Sequence, residues 1–228
     1  MSKRLAVVVS LLAAATMVPL IASASERSDA VERVQNSARV FREIMNAPDK
    51  GIPHNLLESA KCVAIVPGEL KFAFVLGGQY GRGIAECRTE HGWSAPMFIA
   101  IGGGSIGYQV GGSSTDLVLL FMNERALHHL LNDQFKIGVA AAAAAGPVGR
   151  NATAATDISM RAEILSYSRS RGIFAGADLD GTVVKSDHAA DEAVYGANVT
   201  RQAIVSGQVT IPIVNRPLAT ELATYSKP

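Results

Sequence analysis

The chain has 228 residues, with 21 basic and 20 acidic side chains and a formal charge of +1. So balanced a chain lacks the net cationic footprint that non-specific nucleic-acid binding needs. Its two cysteines, without a CxxC spacing, make a poor zinc or redox site, and no Pro/Ser-rich linker divides it, so one domain is expected.

Lys3 and Arg4 precede an apolar run from Leu5 to Ile21, and Ala22-Ser23-Ala24 follows as a small-x-small cleavage site. This pattern predicts a secretory signal peptide over 1–24 and a mature domain over 25–228, periplasmic or secreted. The alternative is an uncleaved anchor, for which the run is slightly short, Pro19 interrupts it and Glu26 follows. Losing Lys3 and Arg4 leaves nineteen basic residues against twenty acidic ones. Cys62 and Cys87 both remain in the exported part, where an even count predicts a single disulfide. Two buried thiols on neighbouring strands are the alternative.

From Ser28 to Met45, Val31, Val34, Ala38, Phe41 and Met45 recur at spacings of three and four, one face of an amphipathic helix. Its other face mixes Glu32, Arg39, Arg42 and Glu43, which suits a helix docked on its own domain better than one lying on a membrane. Pro48, Gly51 and Pro53 break the chain before a short helix from His54 to Ala60. Period-two alternation then begins at Phe72, Phe74 and Leu76, so strands take over. Glu90-His91-Gly92 reads as a hairpin turn between Ile84–Arg88 and Trp93–Ile101, and Leu117–Phe121 as a strand buried on both faces. Asn123 is placed to cap a helix that carries Leu127, Leu130 and Leu131 inward. The Ala/Gly/Val run from Ile137 to Gly149 is read as one tightly packed strand. Strands at Glu163–Arg171, Ile173–Ala177 and Thr182–Lys185 follow, then helices near Ala189–Tyr195, Thr200–Ser206 and Leu218–Tyr225, with Gly196 and Gly207 as C-caps. Glycines scattered through the strands imply bulges and bends. The expected fold is α+β, a curved, barrel-like antiparallel sheet flanked by short helices.

Two stretches imitate catalytic motifs. Gly102-Gly103-Gly104-Ser105-Ile106-Gly107 has the letters of GxGxxG, but a glycine-broken strand follows where the dinucleotide motif opens a helix, so no cofactor is expected. Asp178-Leu179-Asp180-Gly181-Thr182 matches the DxDGT of haloacid-dehalogenase-type phosphatases, whose nucleophile ends the first strand of a doubly wound sheet. Here it comes late in the chain, and an acidic turn between strands is the plainer reading. The five histidines have no metal spacing, and no GxSxG elbow is present. Asn151-Ala-Thr153 and Asn198-Val-Thr200 match the glycosylation acceptor.

One strand suggests binding. Leu165, Tyr167, Arg169 and Arg171 alternate to one side, so two guanidinium groups and a ring would face a phosphate with an apolar body. Salt bridges to the acidic stretch are the alternative. From Lys136 to Arg171 five basic residues stand against two acidic ones, and from Asp178 to Glu192 five acidic against one basic. On separate surfaces these would give the molecule a basic side.

Gly77-Gly-Gln-Tyr-Gly81, Gln109 through Ser114-Thr-Asp-Leu-Val-Leu-Leu120, Gly146-Pro-Val-Gly-Arg150 and Tyr167-Ser-Arg-Ser-Arg-Gly-Ile-Phe-Ala-Gly176 resemble, in order, segments of the SYLF domain family, over about Ala30 to Tyr225. The resemblance implies phospholipid binding: towards phosphoinositides in eukaryotic members, with actin binding in yeast members, and as an exported lipid-binding form in bacteria, which this chain resembles. It departs from eukaryotic members in having a leader and a mixed-charge helix in place of a basic one, so actin is not an expected partner. With the family context, Arg150, Lys71 and Arg82 join Tyr167, Arg169 and Arg171 as the candidate head-group set. The expected function is non-catalytic binding of anionic phospholipid. A Mg-dependent phosphatase acting through Asp178 and a structural envelope protein are the alternatives.

Overall fold

The computed structural model describes residues 2–47, 51–74, 76–105, 111–148, 162–170, 173–177, 179–210 and 216–226, with backbone alone for 2–23, 69–74, 76–77, 104–105, 111–113, 174 and 216. Helices α1 (Ser2–Met45) and α2 (His54–Ser59) precede strands β1 (Cys62–Phe74), β2 (Leu76–Thr89), β3 (Gly92–Trp93), β4 (Met97–Ser105) and β5 (Gly111–Phe121). Helix α3 (Glu124–Leu131) leads into β6 (Gln134–Lys136), β7 (Ala143–Ala145), β8 (Ile164–Ser170), β9 (Ile173–Gly176) and β10 (Val183–Ser186). Helices α4 (His188–Tyr195), α5 (Arg201–Val205) and α6 (Arg216–Tyr225) follow.

The strands pair in the order β6, β10, β4, β2, β1, β5, β8, β7, with β3 on β2 and β9 on β8. The described pairings are antiparallel apart from β7 with β8. Strands β6 and β7 end this path, yet only residues 137–142 separate them in sequence. Laid flat, eight strands would put the end strands about 34 Å apart, whereas that connection reaches about 24 Å at full stretch. The sheet is accordingly curled into a half-barrel, as the α+β expectation required.

The bend is written into β1. At Pro67-Gly68 the register to both neighbours shifts, Gly68 has φ +62°, and its N–H donates to Asp116 Oδ1 at 2.9 Å. Proline inside a central strand is tolerated at such a bulge because no ladder hydrogen bond is asked of it. Opposite it, a Cβ on Gly83 would stand 2.2 Å from the Ile65 carbonyl oxygen, so only glycine lets β2 pass.

Alternation divides the buried residues between two cores. Val63, Ile65, Ile84, Phe98, Val118, Leu120, Leu165 and Tyr167 meet α1, α2 and α6 on one face. Cys62, Ala64, Ala85, Met97, Ile99, Leu117, Leu119 and Phe121 meet α3, Phe135, Val184 and α5 on the other. Leu117–Phe121 is buried on both faces, as its unbroken apolar run predicts. The Asn123 side chain accepts from Ala126 N–H at 2.9 Å, the expected cap of α3. Gly196 at the end of α4 and Gly207 just beyond α5 have φ of +98° and +75°. Cys62 lies directly opposite Cys87 in the β1–β2 ladder, with Cα atoms 4.0 Å apart and sulfurs at 2.12 Å.

Two expectations change. The run from Ile137 is a tight turn and then the three-residue β7, because Gly138, at φ +82°, reverses the chain. The buried stripe of α1 is Ala30, Val34, Ala38, Val40, Phe41 and Ile44, with Arg33 and Ser37 beside it, while Val31 and Met45 are half-buried. The helix also runs unbroken through Pro19 and across Ala22-Ser23-Ala24.

Candidate functional site

The expected binding strand proves to lie under α1. Tyr167 is fully buried in the same core as Phe41 and Ile44, so its ring cannot meet a ligand's acyl or glycerol region. A Cβ on Gly146 would fall 2.1 Å from Tyr167 Cζ, so the chain lies flat on the ring there. Arg169 shares the face, as alternation predicts, but donates to Asp116 Oδ2 from Nε and Nη2 (2.9 and 2.6 Å) and to Glu43 Oε2 of α1 (2.5 Å). The hydrogen bond from Arg169 holds the Glu43 carboxyl below its ordinary value. Arg150 and Arg171 lie outside the described residues, and Lys71 is described by its backbone alone, opposite Gln79 and Ser113.

Arg82 is differently placed. From β2 it meets Arg33 of α1 across two shared oxygens. Asp187 Oδ2 accepts from Arg33 Nη1 at 2.7 Å and from Arg82 Nε and Nη2 at 3.2 and 3.0 Å. Glu26 Oε1 accepts from Arg33 Nη2 at 3.1 Å and from Arg82 Nη2. Burial alone would raise the Asp187 carboxyl, but the hydrogen bonds from Arg33 and Arg82 outweigh it and hold it below its ordinary value. Burial likewise works against the charge on Arg82, and its bonds to Asp187 and Glu26 carry its pKa upward.

Beyond Arg82 the α1 side of the sheet opens. Two adjacent rows of cross-strand partners run to the β6 edge: Arg82, Ala100, Lys185 and Gln134, then Tyr80, Gly102, Val183 and Lys136. Tyr80 is 54% exposed, the side chains of Lys136 and Lys185 are exposed, and Arg82 keeps 30% of its side chain open. Between these tips lie Gly102 and Ala100, with Val183 between Gly102 and Lys136. At strand spacing Arg82 and Lys185 stand about 10 Å apart. Two exposed lysines and an aromatic ring, beside an Arg82 whose charge Asp187 and Glu26 share, suit an anionic head group carrying an apolar body.

The described parts of the two motif-like stretches pack against one another. The β4 strand continues through Gly102-Gly103-Gly104-Ser105, and a Cβ on Gly103 would come within 3.5 Å of Gly181 O and Thr182 Cα. The turn from Leu179 to Thr182 thus packs on the strand, pinned by Gln79 Nε2 donating to Thr182 Oγ1 at 2.6 Å. Leu179 and Thr182 are buried, and Asp178 lies outside the described residues. Asp191 and Arg201 form a buried clamp: Asp191 Oδ1 accepts Phe98 N–H at 2.8 Å, while Arg201 donates to Asp191 Oδ2, Phe98 O and Leu130 O. Burial pushes the Asp191 carboxyl up to about 6, against the pull of those bonds. A groove of about 790 Å³ lies at the β2–β3 hairpin beside Trp93, but its Arg88 is committed to Ala60 O, Leu57 O, Ser226 O and the indole face at 4.7 Å.

Residues 102–225 match the family described as "Ysc84: Las17-binding protein actin regulator". The chain belongs to this family, the SYLF or Ysc84 family. It is 33% identical over 193 residues to Protein YSC84 of Saccharomyces cerevisiae, covering 81% of this chain and 41% of that one. It is 34% identical over 174 residues to LAS seventeen-binding protein 3 of the same yeast, covering 75% and 38%. SH3 domain-containing YSC84-like protein 1 of Homo sapiens is 29% identical over 192 residues, covering 81% and 56%. The chain thus spans less than half of these yeast relatives. The SYLF match runs from the second half of β4 through α6, and with it Lys136, Lys185 and Asp187, while Arg33 and Arg82 precede it.

Sequence reasoning found Arg82 but missed Tyr80, Lys136, Lys185 and the Arg33–Asp187 partnership. The alternation of Tyr80 with Arg82 was visible. What brings Lys136 and Lys185 to them is strand order, which no local pattern encodes.

Proposed function

We propose that this SYLF chain is an exported, non-catalytic protein that docks its Arg82–Lys185–Lys136–Tyr80 face on an anionic phospholipid surface. The pair of open rows carries this reading, since cations over a glycine and alanine floor leave room for a phosphate, and an exposed tyrosine suits the water–membrane boundary. Lys71, Arg150 and Arg171 remain candidates for further contacts to the same head group. The non-catalytic half is supported by the Leu179–Thr182 turn, which lies on an antiparallel sheet and not at the end of a parallel strand where the phosphatase nucleophile belongs.

Each lysine near an anionic surface contributes about 1 kcal/mol. Lys136→Gln with Lys185→Gln is therefore expected to weaken binding to phosphatidylcholine vesicles containing phosphatidylglycerol by roughly thirtyfold, and added salt to weaken the wild type. A folded double variant that floats with these vesicles as tightly as wild type would rule this face out. The family description favours protein binding as a second reading. Co-sedimentation of the chain with filamentous actin, in the absence of lipid, tests it.

A further inference from the structure

Resting on the same lipid-surface reading, we infer that the Arg33–Arg82 pair is a phosphoryl site closed by the chain's own Glu26, which stands where a head-group oxygen would bind. Two guanidinium groups repel one another unless anionic oxygens lie between them. Here two oxygens do so, each shared by both arginines. Oxygens bridging paired guanidinium forks are also what a phosphate supplies.

The two carboxylates are unequally held. Asp187 is 12% exposed and doubly used, since its Oδ1 also accepts Ala190 N–H at 3.4 Å as the cap of α4. Glu26 is 27% exposed and is held at this cluster through Oε1 alone. With the leader removed after Ala24, Glu26 falls in the first turn of α1, where backbone N–H groups lack helical partners and the helix frays. Glu26 is thus the exchangeable member and Asp187 the fixed one.

Exchange also changes what the face presents. With Glu26 in place, two arginines and two carboxylates sum to zero. With Glu26 withdrawn, the cluster carries one positive charge in the row that continues through Ala100 to Lys185. A phosphate entering there meets two guanidinium forks with the exposed lysines and Tyr80 alongside. Its arrival releases the first turn of α1.

The experiment compares the full chain, expressed with its own leader, with Glu26→Gln and Glu32→Gln. Glu32 is an exposed carboxylate of the same helix whose hydrogen bond is to Asn36, so it controls for charge alone. Thermal melts establish that each is folded. Glu26→Gln is expected to bind phosphatidylglycerol vesicles about three- to tenfold more tightly than Glu32→Gln, the scale of one released ion pair. It should also bind inorganic phosphate more tightly. If the wild type binds vesicles and the two variants match, the Glu26 inference falls and the lipid reading stands. If no variant binds vesicles but Glu26→Gln gains phosphate affinity, the site stands with free phosphate as its ligand and the lipid reading falls. Failure in both arms overturns both.

Discussion

Glu86 is fully buried, and among the described residues neither carboxylate oxygen has a hydrogen-bond partner. It lies opposite Val63 in the β1–β2 ladder, two residues from Ile84 of the helix-facing core. An ionised carboxylate there would cost several kcal/mol with nothing to offset it, so burial drives its pKa well above the ordinary 4.5 and the native state keeps the proton. As pH rises past 4.5 the unfolded chain loses that proton and the folded chain does not. The native state then binds more protons, and stability falls by up to about 1.4 kcal/mol per pH unit until the folded pKa is reached. Glu86→Gln has no proton to lose, and its amide adds only a pH-independent term. Between pH 5 and pH 7 the wild type is expected to lose stability that the variant keeps, read as a steeper fall with pH in urea unfolding. Asp187 and Glu43, whose lowered values act in the opposite sense at lower pH, cancel from that difference. Parallel pH profiles would mean that Glu86 is ionised in the fold.

Helix α1 decides which parts of the sheet are surface. It crosses from Arg82 on β2, which it meets through Glu26, to Arg169 on β8, which it meets through Glu43. Between them Phe41 is fully buried, and Tyr225 of α6 packs edge-on against it with ring centroids 6.0 Å apart. Phe41→Ala is expected to cost about 3–5 kcal/mol in urea unfolding, with the m-value unchanged. A cost under 1 kcal/mol would mean that the helix is only loosely docked. This helix also marks where sequence reading ran out. Alternation correctly put Tyr167 and Arg169 on one face, period and capping located the helix after Asn123, and an unbroken apolar run located the doubly buried Leu117–Phe121. Whether a strand face meets solvent or a helix from the far end of the chain is a long-range fact, invisible to any window. The stripe on α1 was misjudged for a local reason. Apolar residues stand side by side at Ala30-Val31 and Ile44-Met45, so spacing alone fits either member, and contact with the sheet buries Ala30 and Ile44. The run from Ile137 has no period at all, so nothing in it announced the reversal at Gly138.

At the scale of the whole molecule, the proposed export, the cysteine pair and the Glu26 site depend on one another. Cleavage after Ala24 would cut α1 inside its described length, leaving Ser25 as the first residue and Glu26 one position from a new ammonium group. Export would also carry Cys62 and Cys87 to an oxidising compartment, where their facing positions across the β1–β2 ladder allow a bridge. The 25-residue separation corresponds to about 3.5 kcal/mol in the chain-entropy account. One measurement reads both events. Protein recovered from the envelope is denatured, alkylated without reductant and weighed intact. The expected mass is that of residues 25–228 less two hydrogens, with no alkyl group added. A mass that includes Met1 to Ala24 would make α1 a retained helix and remove the argument for a fraying first turn at Glu26. Two added alkyl groups on a correctly cleaved chain would leave export intact and abolish the bridge, and β1 and β2 would then be held by their ladder and the two cores alone.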